Sequence, residues 1–245
     1  MSEETKLTGG SEYSNAGQEV AVSNTAISTI IRNRIKEAGA GFLCNDNISD
    51  FIHEHEKSLL LDEVSSKMDD VLRSLVIDVD TCHNTSGTAR RVAKMWLQEL
   101  YAGRYNAAPP VTSFPNVNYD ELYIAGPITL RSSCAHHQMP IFGKVYVGVY
   151  PGKRVIGLSK FNRIVDWFAS RPSIQEELTV QIADELEKIT EAEGLAIIIR
   201  ANHGCVTMRG VQEACSDMTT SVMRGIFKED HSIKQEFISL VGQMQ

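Results

Sequence analysis

Two short segments concentrate the residues whose types and spacing could do chemistry. SSCAHHQMP, residues 132–140, holds Cys134, His136 and His137, and NHGC, residues 202–205, holds His203 and Cys205. Zinc takes thiolate sulfur and imidazole nitrogen, commonly with three protein ligands and one open position at a catalytic centre. Cys134 and His137 have the spacing of one side of such a site. His203 and Cys205 stand at the end of an expected strand, so two edges of one sheet could bring the pairs together. Two cysteines and one histidine with an open position is the simplest composition, and it leaves His136 and His203 as acid–base groups, a role to which imidazole is suited as a class. A closed structural site with His136 or His203 as a fourth ligand fits the spacing too, as do plain core thiols beside ordinary strand-end histidines. Adjacent histidines on an extended backbone point to opposite faces, which favours one ligand and one catalytic partner.

The surrounding elements must position these groups. ELYIAGPITLRSSC and IFGKVYVGVYPGKRVIGL alternate as antiparallel strands, with YPGKR as a reversal. SKFNRIVDWFASR, with a serine cap, and SIQEELTVQIADELEKITEAEG, ending at Gly194, carry helical spacing. LAIIIRAN and MTTSVMRGIF resume strand character before a last amphipathic helix, SIKQEFISLVGQM. Upstream, GTARRVAKMWLQELYAGRY predicts a helix with Thr88 as N-cap and Gly103 as terminator, and Arg91 and Lys94 share one of its faces. TAISTIIRNRIKEAGA predicts another helix, and residues 48–77 a longer one broken near its middle, on which His53 and His55 diverge and share no metal. Residues 1–22 read as a polar tail, 23–80 as a helical extension and 81–245 as the catalytic domain.

Composition sets the outer bounds. A chain of 245 residues with 42% apolar content can bury a substantial core. A formal charge of −7 disfavours nonspecific nucleic-acid or anionic-membrane binding, and no apolar run is long enough to span a bilayer. Five widely spaced cysteines and a polar, acidic start fit a cytoplasmic protein.

SSCAHHQMPIFGKVYVGVYPGKRVIGLSKFNRIVDWFASRPSIQEELTVQIADEL and NHGCVTMRGVQEACSDMTTSVMRGIF resemble the two zinc-bearing blocks of the GTP cyclohydrolase type I family, and RRVAKM resembles its phosphate-contacting helix. The resemblance covers roughly residues 80–243 and implies an α+β tunnelling fold, an antiparallel ββααββ core assembling into a toroidal homo-oligomer, generally a decamer with active sites between subunits. It implies that Cys134, His137 and Cys205 hold Zn2+ and that His136 and His203 move protons around the guanine imidazole, with Ser159 assisting later steps. It further implies that Gln175 and Glu176 read guanine, and that Lys160, Arg163 and Arg209 meet the ribose and triphosphate together with Arg91 and Lys94 from another subunit. The implied reaction is hydrolysis of GTP at C8, release of formate and formation of 7,8-dihydroneopterin triphosphate, the entry to folate and related pterins.

Two positions depart from the family pattern. Ala135 stands where glutamate is usual between the cysteine and the histidine pair, and Ala89 stands where proline commonly opens the upstream helix. The first bears on zinc-site tuning, because outer groups orient ligands. Three alternatives stay open beside this reading: a hydrolase of the same fold that opens another purine-like ring or stops at a formylated intermediate, a non-catalytic nucleotide sensor, and a structural zinc module.

Overall fold

The structure, a computed structural model, describes residues 25–244, so the tail expected over residues 1–22 lies outside the described residues. In chain order the helices are α1 (Ile27–Glu37), α2 (Glu54–Ser74), α3 (Thr88–Lys94), α4 (Ala102–Tyr105), α5 (Leu158–Ala169), α6 (Gln175–Thr190), α7 (Gly204–Thr207), α8 (Ile226–Glu229) and α9 (His231–Gln243). The strands are β1 (Ser113–Pro115), β2 (Tyr123–Cys134), β3 (Pro140–Tyr150), β4 (Arg154–Ile156), β5 (Pro172–Ser173), β6 (Gly194–His203) and β7 (Met218–Gly225). The main sheet runs β5-β2-β3-β6-β7, antiparallel except for the short β5–β2 pairing, and α5 and α6 lie between its two halves in sequence. This mixed α+β arrangement is the ββααββ order expected for a tunnelling fold.

The sheet is buried on both sides for different reasons. On one face Leu130, Val145, Val147, Val149, Ile197 and Ile199 meet Phe161, Ile164, Val165 and Phe168 of α5 and Leu178, Ile182 and Leu186 of α6. Those helical positions recur at intervals of three and four, which is why both segments fold as helices against a sheet. Each such side chain contributes about 1.5–3 kcal/mol by leaving water. On the opposite face Tyr146 and Ala196 are covered by Phe227 of α8 and by Phe237 and Val241 of α9, whose N-terminus is capped by Asp230 Oδ1 accepting from Ser232 N at 2.7 Å.

Several local expectations are corrected. YPGKR does not fold β4 back on β3; β4 pairs with β1, inside the loop expected from AAPPVTSFPNVN. Gly157, not Ser159, is the N-cap of α5, and α6 ends at a left-handed Glu191 so that Gly194 opens β6. The N-cap of α3 is Gly87, and the helix passes into a π-helical stretch over Met95–Leu100 before α4. Gly103 lies inside α4 rather than ending it. A Cβ there would stand 1.9 Å from the Trp167 carbonyl, so the absence of a side chain lets α4 abut the end of α5, where Arg171 donates to Gly103 O at 3.1 Å.

The long N-terminal helix is unbroken through its middle; the interruption falls earlier, at Ile52 and His53. His53 is the N-cap, outside the helix, so its ring stacks on His55 at 5.8 Å instead of diverging. Ile31, Ile35, Ile48 and Ile52 form a separate small core, fastened by Arg34 donating to both oxygens of Glu56 at 2.7 Å. The Arg34 guanidinium holds the Glu56 carboxyl down at about 2. A carboxyl with a lowered folded-state pKa stabilises above its unfolded value and loses that contribution as pH falls toward 2. Thermal melts from pH 5 to pH 2 are therefore expected to show the wild type losing stability that Glu56→Gln lacks throughout, and at pH 7 the variant is less stable by about 2 kcal/mol. Parallel pH profiles for the two proteins would refute this.

Candidate metal centre and its surroundings

Pairing along the sheet closes the two chemistry-bearing segments on each other. Ser133 pairs with Pro140 across β2–β3, and Ile141 pairs with His203 across β3–β6, so the end of β2 and the end of β6 share one rim. Residues 135–137 turn rather than run extended. Cys134 N donates to Met139 O at 2.8 Å, Gln138 N donates to Cys134 O at 2.9 Å, and Gln138 takes a left-handed φ of 57°. The alternation expected for the histidine pair therefore does not apply. Both rings stay near the cysteine: His136 Nδ1 lies 3.9 Å from Cys134 Sγ, and the two ring centroids are 6.3 Å apart.

Cys134, His137 and Cys205 each present one ligand atom, and these atoms lie within 4.8 Å of one another. Cys134 is buried, Cys205 half-buried in the first turn of α7, and His137 exposed. Burial pushes the Cys205 thiol above its ordinary value, and the adjoining Cys134 adds to that effect. Two sulfurs and an imidazole nitrogen held this closely fit a divalent cation of borderline softness, since positive charge between them favours both thiolates. Neither His136 nor His203 belongs to the group, and His53 and His55 join no such group among the described residues.

His203 stands beside this group. Its Nε2 is 2.8 Å from Gln175 Oε1, at the start of α6. Burial pushes its imidazole below the ordinary value, and the Glu176 carboxylate pulls the other way. Glu176 is exposed in the first turn of α6, whereas Gln175 is fully buried. The Gln175 amide nitrogen is 3.1 Å from each of Ile199 O, Met218 O and Thr220 Oγ1. The polar side-chain atoms of Gln175 are engaged within the protein, whereas Glu176 presents an exposed carboxylate.

The profile of the family described as GTP cyclohydrolase I matches residues 64–242. The chain belongs to the GTP cyclohydrolase I family. Proteins named GTP cyclohydrolase 1 from Actinobacillus pleuropneumoniae and Flavobacterium johnsoniae are each 39% identical over 183 residues, covering 74% of this chain and 84% and 81% of theirs. The Haemophilus ducreyi protein of that name is 39% identical over 181 residues, 73% of this chain and 83% of its own. The crystal structure of the archaeosine synthase QueF-Like in the apo form aligns with 49% of this chain and 97% of its own at 13% identity and a TM-score of 0.34.

Within this GTP cyclohydrolase I chain the remaining expected residues are dispersed. Lys160 donates to Pro110 O at 2.9 Å, Arg163 lines a cleft of about 370 Å³ with Arg131 and Asp166, and Ser159 is exposed near the start of α5. Arg91 donates to Asn84 O and Thr88 Oγ1, and Lys94 is exposed on the same helix. Arg209 is exposed and acts on Cys205 only through its charge. Among the described residues no hydrogen bond or ion pair links these side chains to the metal group. Sequence reasoning missed Gln138 and Tyr101. The Tyr101 hydroxyl donates to Gln138 Oε1, while Gln138 Nε2 donates to Ala135 O at 3.1 Å. Ala135 N donates to Ser173 O at 3.0 Å, so the turn is fastened on two sides without the family's usual glutamate. Tyr101 follows the π-helical stretch, a departure that spacing in the sequence does not signal.

Proposed function

We propose that this chain is a zinc-dependent hydrolase that acts on GTP at C8 of guanine, releases formate and forms 7,8-dihydroneopterin triphosphate, the first step toward folate and related pterins. The observation that carries this reading is the convergence of Cys134, His137 and Cys205, beside His203 and Glu176, in a member of the GTP cyclohydrolase I family. Cys134, His137 and Cys205 hold the zinc, which when bound supplies Lewis-acid activation of water near neutral pH. Glu176 accepts hydrogen bonds from guanine N1–H and the exocyclic amine, a pair of donors that a carboxylate matches. His203 and His136 exchange protons with the imidazole part of the base, and Ser159 serves the later ribose steps. Lys160, Arg163 and Arg209, with Arg91 and Lys94 of a neighbouring subunit, offset the triphosphate charge.

The dispersal of those cations within one chain supports a site shared between subunits. Sheet edges support it as well. β7 pairs only with β6, and β2 is covered on its outer side by β5 at Ser133 and Cys134 alone, so both ends of the sheet carry open edges among the described residues. Head-to-tail pairing of such edges is a heterologous contact that closes into a ring, consistent with a toroidal homo-oligomer, a decamer in this reading. Residues 23–80 act as a helical extension and 81–245 as the catalytic domain. No helix among the described residues is long and apolar enough to cross a membrane. A site built on two thiolates suits the reducing cytoplasm.

Incubating zinc-loaded protein with GTP tests the reading. Formate and pterin absorbance are expected to appear together, and His203→Ala lowers the rate by about 10²–10⁴-fold. A wild type that carries full zinc and leaves GTP intact overturns the proposal. Formylated product without pterin assigns the chain instead to a hydrolase that stops early, the outcome that Ala135 makes worth measuring.

A further inference from the structure

We infer that Gln175 is a positioning residue that holds the neutral His203 ring as its Nε2–H tautomer, leaving Nδ1 as the ring nitrogen free for substrate. The inference rests on the proposed reading of His203 as a proton-handling group at guanine, and it deepens that reading by naming the atom involved.

The deduction is a count of hydrogens. Gln175 is fully enclosed, and one end of its amide faces Ile199 O and Met218 O at 3.1 Å. Carbonyl oxygens only accept, so that end must be the NH2 group. Reversing the amide would set three oxygens against one another with no proton between them, in a place that water does not reach, a costly arrangement. The hydroxyls nearby agree. Thr179 Oγ1 donates to Gln175 O at 2.6 Å and therefore accepts from Thr220 Oγ1 at 2.7 Å. The lone pairs of Thr220 Oγ1 then face the Gln175 NH2 at 3.1 Å. With NH2 fixed, Oε1 is the atom that meets His203 Nε2 at 2.8 Å, and an amide oxygen cannot donate. The proton in that contact belongs to Nε2, so the lone pair of a neutral ring lies on Nδ1. Every proton that His203 takes from or returns to substrate passes through Nδ1, and a ring of the opposite tautomer would present a proton where a lone pair is needed.

Solid-state NMR of zinc-loaded, full-length protein carrying 15N-histidine reads the tautomer directly, with His203→Gln identifying the signals that belong to His203. The wild type is expected to show a protonated Nε2 and a bare Nδ1. Gln175→Met, similar in length but without an acceptor, is expected to populate both tautomers and to lower kcat for formate release by about 10- to 100-fold, with KM for GTP changed far less. Gln175→Glu, neutral when buried, keeps an oxygen toward Nε2–H and is expected to restore the wild-type tautomer and most of kcat. A wild-type ring with Nδ1 protonated overturns the inference without recourse to any variant, which covers a Met variant that fails to fold. An unchanged tautomer in a folded Gln175→Met protein, or a loss confined to KM, overturns it as well. A wild type with the expected tautomer that releases no formate from GTP overturns instead the function on which the inference rests.

Discussion

Serine in place of Cys205 is expected to strip the chain of tightly held zinc and to lower formate release from GTP at least about a thousandfold, equivalent to about 4 kcal/mol of barrier. The expectation follows from how the ligands are supplied. Cys134 and His137 come from one turn, but the third ligand atom that closes the group within 4.8 Å comes from α7, after β6. Hydroxyl is a far poorer ligand than thiolate for zinc, and two remaining ligands leave an incomplete set. Metal analysis of the purified variant and an assay with added zinc check the result. Full zinc content with undiminished activity in Cys205→Ser would remove the metal centre from the account. Chelation of the wild type should give the same loss, reversed by zinc but not by magnesium, whose preference is for oxygen ligands.

Alanine at Gly143 is expected to be the most damaging single-methyl change near the site, lowering stability by about 3 kcal/mol. A Cβ at this position would stand 2.2 Å from Arg200 O and 2.6 Å from Ala201 Cα, the backbone of the neighbouring strand. Backbone cannot swing aside as a flexible side chain can, so β3 and β6 must separate locally. Gly143 pairs with Ala201 two positions from the Ile141–His203 pair, and the separation reaches the rim that carries the ligands. Melting in the presence of zinc should fall by roughly 6–12 °C for a domain of this size, and zinc affinity should weaken with it. An alanine variant that melts with the wild type would show that the two strands have slack the geometry does not reveal.

Much of this architecture was legible in the chain because strong periodicity survives tertiary context. β2, β3, β6 and β7 and helices α5, α6 and α9 all fall where alternation or helical spacing placed them. The pairing of Cys134 with His137 was legible because both lie in one turn. Other features depend on partners far apart in sequence. The engagement of Gln175 with Ile199, Met218, Thr220 and His203 has no local signature, so this internal network is invisible in the sequence. The β1–β4 pairing joins two three-residue strands that are too short for a pattern. The histidine turn has no sequence signal of its own, because strand alternation runs up to Cys134 and the hydrogen bonds from Gln138 and to Met139 that bend the chain are made by backbone. His53 was placed on a helix that begins one residue later.

The ligand order carries a consequence for biosynthesis. Cys134 and His137 leave the ribosome first, and all of β3, α5, α6 and β6 must follow before Cys205 emerges. If these three residues are the ligands, a nascent chain stalled before β6 would offer an ion only two donors, and the third would arrive just after the strand that completes the Ile141–His203 pairing. On the proposed ligand set, a product cut short before Cys205 would lack the third donor and compete poorly for zinc, whereas β7, α8 and α9 still to come add no ligand of their own.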